Sequence, residues 1–263
     1  MTTGTGSAGL KLGVVGKGGV GKTTVSGLLA RAYAEKGLRV VAIDTDSNPN
    51  LGLSLGLSLA ETDAVPVLPR ATIVGSGGDT AASDLIVEYG RATPAGATLL
   101  SAIKVAEAGA GCTCSGHATV RSLLADALLD VDVTLVDMEA GLEHLSRSGG
   151  TLAHADVLVV VCEPTRKSVL TAARTSVLAA ELGIPHVLGL GNKSRGADDV
   201  EFFTTALRAE GIELAGVLPY DAGVAAADRS GSVTGTGHAP EAPAALQQIV
   251  AAIDTVRAQP VGR

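Results

Sequence analysis

Residues Gly16 to Thr23 read Gly-Lys-Gly-Gly-Val-Gly-Lys-Thr, a pattern suited to holding a chain of phosphates. Glycines let successive backbone N–H groups turn inward around the anion, and a helix N-terminus behind the loop favours negative charge. Lys22 supplies a point charge to the outer phosphates, and the Thr23 hydroxyl suits a magnesium ion. A second lysine, Lys17, stands at the start of the loop, where the pattern itself tolerates almost anything. Carboxylates follow where phosphoryl chemistry needs them: Asp44 and Asp46 close the second apolar run, and Asp137 closes a later one. An apolar strand ending in Asp beside such a loop is a metal-holding arrangement. For Asp44 the role of a turn former or helix cap stands as an open alternative.

Another constellation is chemically unrelated. Cys112-Thr113-Cys114 lies between Gly111 and Gly116. Two thiolates at this spacing can hold a soft metal, since coordination deprotonates them. They are half of a tetrahedral set, which suggests one ion shared by two copies of the chain meeting on a two-fold axis. His117 could substitute as a ligand. Cys162, at the end of an apolar run, reads as a packed core thiol.

These residues need a scaffold, and the hydrophobic pattern supplies one. Leu10 to Gly16 reads as a buried strand; Val25, Leu28, Leu29, Ala32 and Tyr33 then fall on one helical face, with Gly37 as the stop. Leu38 to Asp44 is the next strand, and Ala97 to Lys104 another. Val120, Leu123, Leu124, Ala127 and Leu128 repeat the helical spacing. Strands over Val131 to Asp137 and Asp156 to Cys162, a helix over Lys167 to Leu182 and a strand over Pro185 to Gly191 follow. A helix over Asp198 to Glu210, a strand over Ile212 to Leu218 and a last helix carrying Leu246, Ile249, Val250 and Ile253 complete the series. Near-continuous apolar strands between amphipathic helices predict an α/β fold with a mainly parallel central sheet and helices on both faces. Its ligands belong at the carboxyl ends of the strands. One domain is expected over 10–258, between a disordered tail at 1–9 and a short tail at 259–263, with a Gly-, Ser- and Pro-rich connector at Ser230 to Pro243.

Composition narrows the partners. Of 263 residues 46% are hydrophobic and only 2% aromatic, so the core is aliphatic and no aromatic platform for nucleic-acid bases is available. The net charge of −7 disfavours non-specific attraction to nucleic acid or anionic lipid. No leader or membrane-length apolar run is visible, and three cysteines cannot all pair, which points to a reducing, cytoplasmic setting.

The run Lys17 to Thr23 resembles the signature of the MinD/ParA/nitrogenase-iron-protein class of P-loop ATPases, the deviant Walker A proteins. Three further stretches resemble a narrower family: Ile86-Val87-Glu88-Tyr89-Gly90, Gly111-Cys112-Thr113-Cys114, and Asp137 to Leu145, which reads Asp-Met-Glu-Ala-Gly-Leu-Glu-His-Leu. They are similar to the CooC-type ATPase, the accessory ATPase for nickel insertion into carbon monoxide dehydrogenase. The likeness runs from the loop to about Tyr220. It implies ATP and magnesium as cofactors, with Gly18, Gly19, Val20, Gly21, Lys22, Thr23 and Thr24 binding nucleotide. Lys17 would reach in trans across a homodimer to the partner's ATP. Asp46 would orient the attacking water, and Thr23, Asp44 and Asp137 would hold magnesium directly or through water. Asn192 and the Pro219-Tyr220-Asp221 stretch match positions that line the adenine pocket. Nickel or zinc would sit on Cys112 and Cys114 at the dimer interface, and the client would be a metalloenzyme such as carbon monoxide dehydrogenase. Nucleic acid and membrane are not expected partners. The alternative is a MinD/ParA-like spatial-organising ATPase without metal delivery. It calls for a basic amphipathic C-terminal helix, whereas Leu246 to Arg263 offers only Arg257 and Arg263, with Asp254 opposing.

Overall fold

A computed structural model describes residues 9–69, 81–104, 114–125, 131–141, 150–230 and 241–259. Strand β1 (Leu10–Gly16) leads into helix α1 (Lys22–Glu35) and strand β2 (Val40–Asp44). Short helices α2 (Leu51–Ser54) and α3 (Leu59–Asp63) follow, then α4 (Ala82–Tyr89), β3 (Arg91–Ala92) and β4 (Thr98–Ser101). Helix α5 (Cys114–Ala125), β5 (Val133–Asp137), β6 (Val157–Cys162), α6 (Arg166–Glu181) and β7 (His186–Ser194) continue the alternation. The chain ends through α7 (Ala197–Ala209), β8 (Glu213–Pro219), α8 (Ala222–Ser230) and α9 (Ala242–Arg257).

The strands form one sheet in the order β3-β4-β2-β5-β1-β6-β7-β8. Every neighbouring pair is parallel except β3–β4 at the edge, which is antiparallel. Helices cover both faces, because the central strands are apolar on both sides. On one face Leu12 and Val14 of β1 pack with Val25, Leu29 and Tyr33 of α1 and Ile249 and Ile253 of α9. On the other, Val15, Ile43 and Val160 pack with Val120 and Leu123 of α5, Val169 of α6 and Phe203 of α7. Tyr33 also ties α1 to α9, its hydroxyl donating to Asp254 Oδ1 at 3.1 Å while Lys36 Nζ meets Asp254 Oδ2 at 2.9 Å.

Several sequence expectations move. The strands expected from Leu38 and Val131 begin two residues later, since Arg39 N–H is taken by Asp132 Oδ2 outside the ladder. The strand expected over Ala97 to Lys104 is confined to Thr98–Ser101. The strand expected to stop at Gly191 continues to Ser194, carrying Asn192 and Lys193 inside β7 rather than in a loop after it. Ala242 and Pro243, placed in the connector, open α9, where proline is accommodated in the first turn. Short α2, α3 and α8 and the two-residue β3 were too brief to leave a periodic signal. Of the expected tails and connector, residues 1–8, 231–240 and 260–263 lie outside the described residues. Among the described residues no helix is long and apolar enough to cross a membrane.

Candidate nucleotide site

The loop between β1 and α1 has the backbone that its glycines permit. Gly16 lies at φ 148° and Gly21 at φ 95°, in the region that side chains resist. A Cβ at Gly16 would sit 2.5 Å from the Val161 carbonyl oxygen, so the loop can press against β6 only without one. Gly21 caps α1 with no side-chain hydrogen bond, and the first turn carries no acidic residue. The helix N-terminus is therefore left open to an anion. Lys22, the first helical residue, is 8% exposed and extends back toward the loop, its Nζ 3.5 Å from the Lys17 carbonyl oxygen. Burial pulls its pKa below the ordinary lysine range, with the charges of Asp137, Asp46 and Glu139 acting against that pull. A phosphate beside it would favour the charged form.

The next residue, Thr23, and Ser26 one helical turn on from Lys22 face the end of β5. Ser26 Oγ donates to Asp137 Oδ1 at 2.8 Å, and the Thr23 side chain also bonds this carboxyl group. Asp137 pairs in register with Val14 of β1 on one side and Asp44 of β2 on the other. Both carboxyl groups are 1% exposed, and burial is the main force raising the pKa of each above the usual carboxylate range. For Asp44 the neighbouring Asp137 adds to the effect. Two buried carboxyl groups side by side, with the Thr23 hydroxyl alongside, are hard-oxygen donors that fit a magnesium ion.

Asp44 has a further task that the sequence left open. Its Oδ1 accepts from the Asp46 N–H at 3.0 Å and its Oδ2 from the Leu51 N–H at 2.9 Å. Its carboxyl group thus shapes the loop after β2, the turn-forming alternative, and leaves only second lone pairs for a hydrated cation. Asp46 is half-buried on this loop and lines the cavity, with Oδ1 accepting from the Asn48 N–H at 2.9 Å. The loop is tied to the segment after β5 as well. Thr45 donates through both N–H and Oγ1 to the Asp137 carbonyl oxygen, at 3.1 and 2.9 Å, and Ser47 Oγ donates to Glu139 Oε1 at 2.8 Å.

An 890 Å³ cavity runs from this phosphate end toward β7 and β8. That volume is within the range of small-molecule sites. Gly18, Gly19, Gly21, Lys22, Thr23 and Thr24 line one end, and Asn192, Pro219, Tyr220 and Asp221 the other, among the apolar walls of Leu28, Leu218 and Leu246. Val20 is fully buried behind the loop. The structure therefore brings together almost the whole expected nucleotide set. Two members have additional work. Asn192 turns its amide nitrogen to the Val20 carbonyl oxygen at 2.8 Å, holding the loop. Asp221 Oδ1 accepts from the N–H groups of Gly223 and Val224, at 2.7 and 3.3 Å, at the start of α8. Lys17 is exposed and borders a separate 340 Å³ cavity with Glu139, Ala140 and Gly141.

The sequence reading missed Lys193, Arg195 and Glu163, which also line the main cavity. The Arg195 guanidinium lies 4.4 Å from the centre of the Tyr220 ring. The polar run Asn192-Lys193-Ser194-Arg195 after an apolar strand was the available signal. Cys112 lies outside the described residues, as do Leu142 to Leu145; Cys114 opens α5, but its side chain is not described. His117 is 1% exposed within α5. Cys162 is fully buried, and burial pushes its thiol up to about 11, in keeping with an inert core residue. Among the described residues no group of three or more His, Cys, Asp or Glu side chains is placed to hold a metal ion.

Comparison with known proteins agrees with this geometry. Residues 14–234 match the CobQ/CobB/MinD/ParA nucleotide binding domain family. The chain is 39% identical over 237 residues to the carbon monoxide dehydrogenase accessory protein CooC of Rhodospirillum rubrum, covering 84% of this chain and 88% of that one. It is 36% identical over 227 residues to an uncharacterised ATP-binding protein of Methanocaldococcus jannaschii, covering 81% and 86%. In fold it is similar to the cell division ATPase MinD of Pyrococcus furiosus, with a TM-score of 0.68 over 94% of this chain and 99% of that one at 18% identity. The phosphate loop, the paired strand-end aspartates and the extent of these likenesses together show that the chain belongs to the CobQ/CobB/MinD/ParA nucleotide-binding family of P-loop proteins, among its CooC-type members.

Proposed function

We propose that the chain is a dimeric ATPase that carries a soft divalent metal, nickel or zinc, and delivers it to a metalloenzyme such as carbon monoxide dehydrogenase. The observation that carries this reading is the 39% identity, over most of both chains, to a carbon monoxide dehydrogenase accessory protein. The Cys112-Thr113-Cys114 run gives it a chemical basis.

In this reading the N–H groups of the Gly18–Thr24 stretch receive the phosphates, and Lys22 neutralises their outer charge. Magnesium, held by Thr23 and Asp137 with Asp44 acting through water, would offset charge on the phosphates. Asp46 orients a water for attack on the terminal phosphorus; the bond to the bridging oxygen breaks, and ADP and phosphate are the products. Lys17, exposed at the edge of the loop, reaches the phosphates of the partner's nucleotide and couples dimer closure to ATP. The loop after β2 is bonded to the end of β5 and the segment after it through Thr45 and Ser47, which flank Asp46. Glu139 belongs to the Asp137 to Leu145 stretch that carries the family resemblance.

Calorimetric titration of reduced protein with zinc and with nickel tests the metal reading. Half an ion per chain is expected, with affinity falling as acid protonates the thiols. The double change Cys112→Ser and Cys114→Ser should abolish it, with retained ATP binding showing that the variant is folded. One ion per chain surviving that change would remove metal delivery and leave a spatial-organising ATPase as the better account.

A further inference from the structure

We infer that Lys193 is a positioning residue of the nucleotide site: a bulge at the end of β7 turns it, together with Asn192, onto the carbonyl groups of the phosphate loop and so presets that loop for a polyphosphate. The inference rests on the nucleotide-site reading and names a residue which that reading did not use.

Consecutive side chains of a strand point to opposite faces, so Asn192 and Lys193 should not reach the same target. They do. Asn192 Nδ2 donates to the Val20 carbonyl oxygen at 2.8 Å, and Lys193 Nζ donates to the Gly19 carbonyl oxygen at 2.6 Å. The register explains how. Gly191 pairs with Val217 while Ser194 pairs with Pro219, so three steps along β7 match two along β8. The extra residue is a β-bulge, a device that re-aims side chains. Lys193 absorbs it at φ 62° and is the one non-glycine residue with positive φ among those described. A left-handed lysine is strained, and such strain persists where the surrounding structure holds it in place.

The grip has a defined effect on the loop. A trans peptide directs its C=O and N–H to opposite sides. Holding the Gly19 carbonyl toward Lys193 sends the Val20 N–H the other way, where it donates to the Lys17 carbonyl oxygen at 3.4 Å. Holding the Val20 carbonyl toward Asn192 sends the Gly21 N–H away from β7, to the inner side of the loop. At φ 95° Gly21 adopts backbone that side chains resist, and a Cβ there would lie 2.5 Å from Asn192 Nδ2 and push that amide off the loop. The end of β7 thus holds two successive loop carbonyls, and with that of Val20 the direction of the Gly21 N–H, the donor left for phosphate. Preorganised donors do not have to be ordered when the ligand arrives.

Calorimetry on the full chain, with magnesium ATP and with magnesium tripolyphosphate, separates this role from others. Lys193→Met keeps the aliphatic stem and loses the ammonium; Lys193→Gly also relieves the left-handed backbone. Both should bind ATP and tripolyphosphate about tenfold more weakly, by the same factor for the two ligands. Lys193→Arg should recover most of the loss, and Lys193→Gly should melt within about 2 °C of the parent. Parent-like affinity in both Lys193→Met and Lys193→Gly would overturn the inference. A loss confined to ATP would also overturn it, placing Lys193 against the base rather than behind the loop. A parent chain that binds neither ligand would overturn the nucleotide-site reading itself.

Discussion

At the scale of single residues, the site separates groups that bind from groups that act only as the bond breaks. In the proposed function Lys22 and the loop N–H groups would meet phosphate in the ground state, whereas a residue that orients water contributes in the transition state. Asp46→Asn should therefore keep ATP affinity within about twofold while turnover falls by about a hundredfold or more. The Asn48 N–H bonded to Asp46 Oδ1 can still be accepted by an amide oxygen, so the loop is expected to hold its shape. Equilibrium binding and phosphate release on the same preparation check this. A fall in affinity as large as the fall in turnover would remove Asp46 from the water-orienting role. Asp44 is a different case despite its similar position. Both its oxygens already organise the loop backbone, so its loss would act on folding of the loop as well as on metal.

At the scale of elements, the site depends on how closely α7 seats on β7. Gly191 precedes the bulge, and a Cβ there would lie 2.6 Å from Phe203 Cδ2, whose ring is fully buried. Gly191→Ala should destabilise the chain by about 1–3 kcal/mol through overpacking. The same change made together with Phe203→Ala should add much less, because the colliding ring is gone. Thermal or denaturant unfolding of the two single variants and the double variant measures this; additive effects would show that Gly191 serves something other than this contact. The strand periods and helix faces were legible in advance because each is a local pattern of apolar residues. The bulge was not, since Asn192 and Lys193 look like ordinary polar residues after a strand.

For the whole molecule, the exposed lysine at the rim of the loop is the feature that concerns assembly. Lys17 is exposed beside Glu139, Ala140 and Gly141 and does not line the main cavity, and the proposed function gives it the partner's nucleotide as its target. Metal-free protein should therefore pass from monomer to dimer with magnesium and a non-hydrolysable ATP analogue, and return with ADP. Lys17→Ala should bind the analogue and remain a monomer. Light scattering reads both; a parent mass unchanged by the analogue would remove the trans role of Lys17.

The sequence by itself determined the phosphate loop, the main alternation of strands and helices, the strand-end positions of Asp44 and Asp137, and Asp46 two residues beyond the first of these. Each is written in neighbouring residues, through glycine backbone freedom or hydrophobic periodicity. It also determined the Cys112-Thr113-Cys114 spacing, which lies outside the described structure apart from the start of α5. Only the tertiary structure decided that both Asp44 oxygens hold the loop backbone, that Arg195 lies over Tyr220, and that Asn192 and Lys193 close on the loop. Asn192 and Val20 are 172 residues apart, and Lys193 and Gly19 are 174 apart. Such contacts arise from the sheet order, which sets β6 beside β1 and β7 beside β6, and from one extra residue in a strand whose side-chain period is two. A single-residue shift reverses which face a side chain takes, and no local pattern in this chain records that shift.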